Sequence, residues 1–187
     1  MPAKKVTPKS AILNAAVTLI SQKGLSGVNT KNLTQILGCS TQPIYHAYKN
    51  VEELKRDAMN KIMEIYSAYL SEEVAKNKYP PYKSYGMGYI KFAANEPQLF
   101  KVAYMSAEAK NYLPNFNSLT DIFGVIAKSL NVSKEVAQKF HLDMWFSIHG
   151  LASMIACDCI KFCEEEVSRY LTDIFFGLKH VYLNKEN

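Results

Sequence analysis

Apolar side chains recur at helical spacing along almost the whole chain. The pattern is clear at Ile12, Ala15 and Leu19 and again at Leu54, Ala58 and Ile62, a spacing that places them on one face of a helix. No stretch sustains the alternation typical of strands. We therefore predict an all-α fold of about nine helices, with the approximate ranges 8–23, 30–37, 41–47, 50–77, 82–95, 97–107, 116–130, 134–162 and 164–183.

Helix-ending and helix-starting residues separate these segments. Gly24 and Gly38 follow the first two helices, Asn29 is the expected N-cap of the second, and Asn50 with Glu53 forms a capping box for the fourth. Pro97 suits a first helical position.

The segment Gly38-Cys39-Ser40 joins two short helices and predicts a helix-turn-helix. Glycine takes the left-handed conformation, a small residue packs inside, and Ser40 is expected to cap the next helix. Pro43 then falls at the third helical position, where a backbone N–H has no partner to lose.

Charge sets this region apart from the rest of the chain. The net charge is +5, but residues 1–50 contain six lysines and no carboxylate, while the remainder holds 16 basic and 17 acidic residues. A basic segment on a balanced body favours binding to a polyanion through release of counterions. A solvated lysine-rich face is the alternative.

The second helix of this motif carries side chains suited to the major groove. Gln42 can bind adenine, while the Thr41 methyl group and the Pro43 ring can pack on a thymine methyl. Ile44 is expected in the core. Tyr45 could also be a core residue, and His46 could be a surface residue that does not contact DNA. The predicted base-reading residues are Thr41, Gln42, Pro43 and Tyr45, and the predicted phosphate contacts are Lys4, Lys5, Lys9, Thr30, His46 and Lys49.

The first 55 residues resemble the DNA-binding domain of the TetR family of bacterial repressors. The residues that carry the resemblance are Ile12, Leu13, Ala15 and Ala16, Gly24, Leu33, Gly38 with Ser40, and the run from Ile44 to Asn50 into Glu52, Glu53 and Leu54. Val51 and Gln42 depart from the family pattern, and Gln42 predicts an operator sequence particular to this chain. The resemblance implies residues 1–55 as a DNA-binding domain and residues 56–187 as a ligand-binding and dimerisation domain. It also implies a homodimer on a palindromic operator of double-stranded DNA, released by a small-molecule inducer of unknown identity.

In the second part, Trp145, His149 and Gly150 resemble the Trp-x-x-x-His-Gly signature of one TetR subgroup. These residues either line a ligand cavity or form a packing motif. The predicted cavity residues are Tyr89, Tyr104, Trp145 and His149. The predicted dimer interface consists of Ile148, Ile155, Leu171, Ile174, Phe175 and Leu178.

Other classes of function find less support in the sequence. No catalytic motif appears, so we expect no enzyme, no catalytic residue and no cofactor. The spacing of Cys157, Cys159 and Cys163 is not that of a zinc site. We expect these three cysteines and Cys39 to be reduced and buried. With no apolar run of spanning length or signal peptide, we expect no membrane partner and a soluble, cytoplasmic protein. A ligand-free architectural DNA-binding protein and a thiol-based redox sensor are the alternatives to an inducible repressor.

Overall fold

A computed structural model describes residues 7–107 and 122–184. In these residues the structure contains nine α-helices, one 310 helix and no strand, which confirms the predicted all-α class and helix number. The helices are α1 (Lys9–Lys23), α2 (Thr30–Leu37), α3 (Gln42–Ala47), α4 (Val51–Ala75), α5 (Pro81–Asn95), α6 (Pro97–Met105), α7 (Ile122–Leu130), α8 (Lys134–Ala156) and α9 (Glu164–Asn184), and the 310 helix is Leu25–Gly27.

The described residues form two compact units. The first comprises residues 7–65 and 98–107, and the second comprises residues 66–97 and 122–184. The assignment of DNA binding to residues 1–55 and of ligand binding to residues 56–187 stays a prediction.

In the first unit, α1 packs against α2 and α3. The buried face of α1 carries Ile12, Leu19 and Ile20, each at most 1% exposed, as the helical spacing predicts. Leu33 of α2 and Ile44 of α3 are also buried. Each such aliphatic side chain contributes about 1.5–3 kcal/mol of burial free energy, so this core holds three short helices that would not be stable separately.

The starts of α2 and α4 have the predicted side-chain caps. The side chain of Asn29 accepts a hydrogen bond from the N–H of Asn32 at 2.9 Å. At the start of α4, Asn50 accepts from the N–H of Glu53 at 2.9 Å, and Glu53 Oε2 accepts from the N–H of Lys49 at 2.8 Å. In the usual capping box the glutamate side chain accepts from the N–H of the N-cap residue, which here is Asn50. Glu53 instead accepts from the N–H of the residue before it, Lys49.

In the second unit, α8 is the central helix and packs against α5, α7 and α9. Helix α5 also lies close to the last turns of α4. A Cβ atom added at Gly88 would lie 2.9 Å from both Leu70 Cα and Tyr69 O. The absence of a side chain at Gly88 thus allows the backbones of α4 and α5 to approach each other directly.

A network of charged groups joins α4, α5 and α9 within this unit. Glu73 is only 2% exposed, and its Oε1 accepts hydrogen bonds from Lys76 at 2.6 Å and from Lys91 at 2.9 Å. Lys91 also pairs with Glu164 at 3.1 Å, and Glu164 pairs with Lys78 at 2.8 Å. Burial tends to raise the pKa of the Glu73 carboxyl, but the hydrogen bonds from Lys76 and Lys91 hold that pKa below its ordinary value.

Helix α8 is shorter than predicted. It ends at Ala156 instead of about residue 162, because Asp158 adopts the left-handed conformation with φ of 59°. The N–H groups of Asp158 and Cys159 then bond back to the carbonyls of Ile155 and Met154, both at 2.9 Å. A helix that ends in this way usually has glycine at the left-handed position. The sequence has no glycine here, so the end of α8 could not be predicted from it.

Smaller differences concern two other helices. Helix α4 ends at Ala75, two residues before the predicted end, and α6 ends at Met105 instead of residue 107. The predicted start of α7 at residue 116 lies outside the described residues. No helix in the described ranges has both the length and the apolar character required to cross a lipid bilayer.

Candidate functional site

The turn between α2 and α3 has the predicted helix-turn-helix conformation at its first residue. Gly38 has φ of 60° and ψ of 35°, and its N–H bonds to the carbonyl of Thr34. The predicted N-cap Ser40 is wrong, because α3 begins at Gln42 and Thr41 is its cap. The Thr41 carbonyl accepts from the N–H of Ile44 at 3.1 Å. Pro43 therefore occupies the second helical position, where its missing N–H still costs no intrahelical bond.

Helix α3 presents polar side chains on the face opposite its buried residue. Ile44 is 2% exposed, as expected for a core residue, whereas Tyr45 is 55% exposed and so is not a core residue. Spacing of three or four residues along a short helix brings side chains together on one side. The exposed predicted contacts are Thr41, Gln42, Tyr45, His46 and Lys49, with Pro43 half-buried beside them.

A hydrogen bond links the two helices of the motif across this surface. Thr30 Oγ1, at the first residue of α2, lies 3.1 Å from Tyr45 Oη. Thr30 and Tyr45, both predicted to contact DNA, are thus joined by a hydrogen bond between their hydroxyl groups. This bond limits the conformations of the exposed Tyr45 side chain, which would otherwise rotate freely.

Lys9, one of the predicted phosphate contacts, already has two partners within the first unit. Lys9 Nζ lies 4.5 Å from the centroid of the Tyr48 ring and 3.5 Å from Asp57 Oδ2. Burial and the neighbouring Asp57 carboxylate raise the pKa of Tyr48 to about 12. A phosphate contact by Lys9 would therefore have to share or replace Asp57. Lys4 and Lys5 lie outside the described residues.

Electrostatics favour an anionic partner on this side of the first unit. From residue 7 to residue 50 the chain carries Lys9, Lys23, Lys31 and Lys49 and no carboxylate. Lys49 is exposed, and its backbone is fixed by the bond to Glu53. The surface around α3 can thus accept phosphate oxygens without repulsion from acids of its own segment.

Three of the four predicted ligand-cavity residues meet in the second unit. Tyr89 Oη lies 2.8 Å from Nδ1 of His149, and the rings of Trp145 and His149 stack with centroids 4.9 Å apart. Ser153 Oγ lies 3.5 Å from His149 Nε2. Burial raises the pKa of Tyr89 and lowers that of His149. Tyr104 belongs to the first unit, where its ring packs 5.3 Å from that of Phe100.

A cavity of about 240 Å³ lies elsewhere in the second unit, between α5, α7, α8 and α9. None of the four predicted residues lines it. Its walls are mainly apolar and include Met144, Ile148, Leu171 and Phe175, while Lys83 contributes a charged group. Sequence reasoning missed Lys83, whose only signal was a lysine in the first turn of a helix with few charged residues.

The residues predicted for a dimer interface are partly inside the chain. Ile148, Ile155 and Leu171 are 3–9% exposed, and Ile174, Phe175 and Leu178 are half-buried. Other apolar residues of α8 and α9 face outward instead. These exposed residues are Leu142, Phe146, Met154, Phe176, Val181 and Leu183.

The expectation of buried cysteines is wrong. Cys157 and Cys159 are exposed and Cys39 and Cys163 are half-buried, all as free thiols. The physical reason is the early end of α8, which leaves Cys157, Cys159 and Cys163 in the segment before α9. Among the described residues, no group of His, Cys, Asp or Glu side chains is arranged to hold a metal ion.

Comparison with known proteins adds no further identification. No protein-family model, no curated protein and no solved structure matches this chain.

Proposed function

We propose that this chain is a TetR-type, DNA-binding transcriptional regulator. The observation that carries the proposal is the α2–α3 motif, in which a left-handed Gly38 precedes a short helix with Ile44 buried and Gln42 exposed. A helix of this kind fits the major groove. The absence of carboxylates from residue 7 to residue 50 also supports DNA as the partner, because no acidic side chain of this segment repels phosphate.

The proposed contacts divide into base and phosphate contacts. Gln42 would bond to an adenine edge, and Thr41 and Pro43 would pack on a thymine methyl group. Tyr45 lies between the two classes, because its hydroxyl is held by Thr30 at the start of α2. His46, near the end of α3, and Lys49, just after it, would hold phosphate oxygens and so fix the position of the helix.

We further propose that the regulator is a homodimer. Leu142, Phe146 and Met154 are exposed on α8 at intervals of four or eight residues, with Gly150 between them. A Cβ atom at Gly150 would meet no other atom within 4 Å, so this stripe has open space in front of it. A second copy with the same stripe would cover the apolar surface with two-fold symmetry, and two α3 helices would then read a palindromic operator.

Repression and release by an inducer complete the proposal. The cavity in the second unit supports this part, because an apolar cavity with few polar groups is typical of a small-molecule site. An architectural DNA-binding protein would have no use for such a cavity.

The test is selection of bound duplexes from a randomised DNA pool by the full-length protein, followed by a salt series. We expect enrichment of one palindrome whose affinity exceeds that for random duplexes by about a thousandfold or more. The logarithm of the affinity should fall linearly with the logarithm of salt concentration. Equal binding to all duplexes would indicate an architectural role, and no binding at low salt would contradict the proposal as a whole.

A further inference from the structure

The cavity of the second unit combines an apolar wall with one positively charged group. Met144, Ile148, Leu171 and Phe175 supply most of the hydrocarbon surface described above. Lys83, in the first turn of α5, is half-buried at the edge of this surface. A solvated lysine side chain would normally turn away from such surroundings.

Lys83 is held at the cavity by two contacts that leave its charge without a counterion. Its Nζ donates to Thr172 Oγ1 at 2.8 Å and lies 4.7 Å from the centroid of the Tyr79 ring. The Thr172 hydroxyl donates in turn to the carbonyl of Ser168 at 3.0 Å, so it acts toward Lys83 as an acceptor. Within the described residues, no carboxylate forms an ion pair with Lys83.

Three neighbouring lysines, in α5 and in the segment between α4 and α5, behave differently. Lys76 and Lys91 each contact Glu73, and Lys78 contacts Glu164. Burial lowers the pKa of Lys83, and none of the carboxylates of these ion pairs offsets that effect. An anion placed beside Lys83 would supply that compensation.

We propose that this cavity binds a small amphiphile with a single carboxylate. Its hydrocarbon body lies among Met144, Ile148 and Phe175, and its carboxylate pairs with Lys83 near Thr172. Only the role of this ligand as the inducer rests on the proposed regulatory function. The binding itself follows from the cavity.

The volume limits the ligand to a short chain or a small ring. A cavity of about 240 Å³ is just below the range of roughly 300–1,000 Å³ for drug-sized pockets. At about 30 Å³ per water molecule in the liquid, it has the volume of about eight waters. Octanoate is close to this size, and octanol and octyltrimethylammonium are probes of the same length with different head groups.

Calorimetric titration of the full-length protein with these three probes tests the proposal. We expect octanoate to bind one molecule per chain, with an affinity about tenfold or more above that of octanol. Octyltrimethylammonium should bind more weakly than octanol, because its charge repels Lys83. Equal affinities for the three head groups would overturn the proposal, as would no octanoate binding at millimolar concentration by the folded protein.

Variants separate the role of the charge from that of the fold. Lys83→Met should reduce octanoate affinity to that of octanol and leave octanol binding within about twofold. Lys139→Met, at an exposed position of α8 that does not line the cavity, should change neither. Thr172→Val removes only the neutral acceptor and should keep the preference for octanoate. An unchanged preference in Lys83→Met would overturn the assignment.

No DNA enters these titrations, so their outcome does not depend on an operator. If octanoate binds as described but leaves the affinity for the selected DNA unchanged, the inducer role fails and the carboxylate site stands. If no DNA is bound under any condition, the regulatory function fails and the titrations still decide the nature of the cavity.

Discussion

The carboxylate of Glu73 is almost completely buried and lies 2.9 Å from the ammonium group of Lys91. A buried charge of this kind is stabilising only while its partners remain in place. The stability of the second unit therefore depends on this ion pair as well as on its apolar core.

The substitution Glu73→Gln should lower the free energy of unfolding by about 1–3 kcal/mol, because Lys91 and Lys76 would then face a neutral group. Glu72→Gln is a matched control, since Glu72 also contacts Lys76 but has a side chain that is 65% exposed. It should change stability by less than about 0.5 kcal/mol. Urea unfolding followed by circular dichroism measures both, and equal effects would contradict a special role for the buried carboxylate.

Acid should weaken the same network. Hydrogen bonds from Lys78 and Lys91 lower the pKa of Glu164 from 4.5 to about 2. A carboxyl with a lower pKa in the folded than in the unfolded state contributes stability that is complete above the unfolded pKa. That contribution should be lost as pH falls from about 4.5 to about 2.

Unfolding at a series of pH values checks this expectation. Glu164→Gln should make stability less dependent on pH in that window. Glu166→Gln changes the same charge at an exposed position in the first turn of α9 and should leave the dependence almost as it is. The same pH dependence in wild type and Glu164→Gln would show that the ion pairs of Glu164 do not contribute.

Two substitutions in the helix-turn-helix separate base contacts from phosphate contacts. Gln42→Ala should reduce discrimination at one base position of the selected operator by about 1–3 kcal/mol, because the bidentate hydrogen bonds to adenine are lost. Lys49→Ala should weaken binding to all duplexes alike and reduce the salt slope by about one.

Exposed residues of the same type serve as controls for both. Gln35→Ala on α2 and Lys128→Ala on α7 should leave affinity and salt dependence close to wild type. Competition assays with operator and random duplexes measure all four variants. Equal losses on both kinds of DNA for Gln42→Ala and Lys49→Ala would refute the assigned roles.

Oligomeric state should depend on the outward apolar residues of α8 and α9. Phe146 and Phe176 are 57% and 59% exposed, and a glutamate at either position would place a carboxylate in the proposed interface. We expect Phe146→Glu and Phe176→Glu to convert the dimer into a monomer in sedimentation equilibrium. Ile36→Glu, at a 46% exposed position of α2, should leave the mass unchanged. A wild-type protein that sediments as a monomer would remove the basis of the palindromic operator.

The sequence was most informative where structure is determined locally. Asn29, Gly38 and the pair Asn50 and Glu53 act through residues at most a few positions away, and their roles as helix signals are confirmed. The end of α8 was not predictable in this way. It depends on Asp158 in a left-handed conformation, which Asp adopts less readily than glycine and which the apolar pattern does not mark.

The candidate sites were predictable only in part, because contacts between helices decide them. The exposed side of α3 followed from the position of Ile44 in the pattern. By contrast, periodicity showed that Ile148 and Leu171 lie on apolar faces but not whether the same chain or a second copy covers those faces. The cavity and its lysine depend on four helices meeting, and no local pattern encodes that arrangement.

The contact at Gly88 has a consequence for the comparison of this protein with its relatives. Any side chain there would meet the backbone of Tyr69 and Leu70, which does not move aside as a flexible side chain would. A chain that keeps the α4–α5 packing should therefore carry glycine at this position even when most other residues have changed. Gly150 has open space around it and is free to vary among proteins of this fold unless a partner helix lies against it. A glycine at the position of Gly88, in the middle of an apolar helix, is thus a criterion by which distant relatives can be recognised.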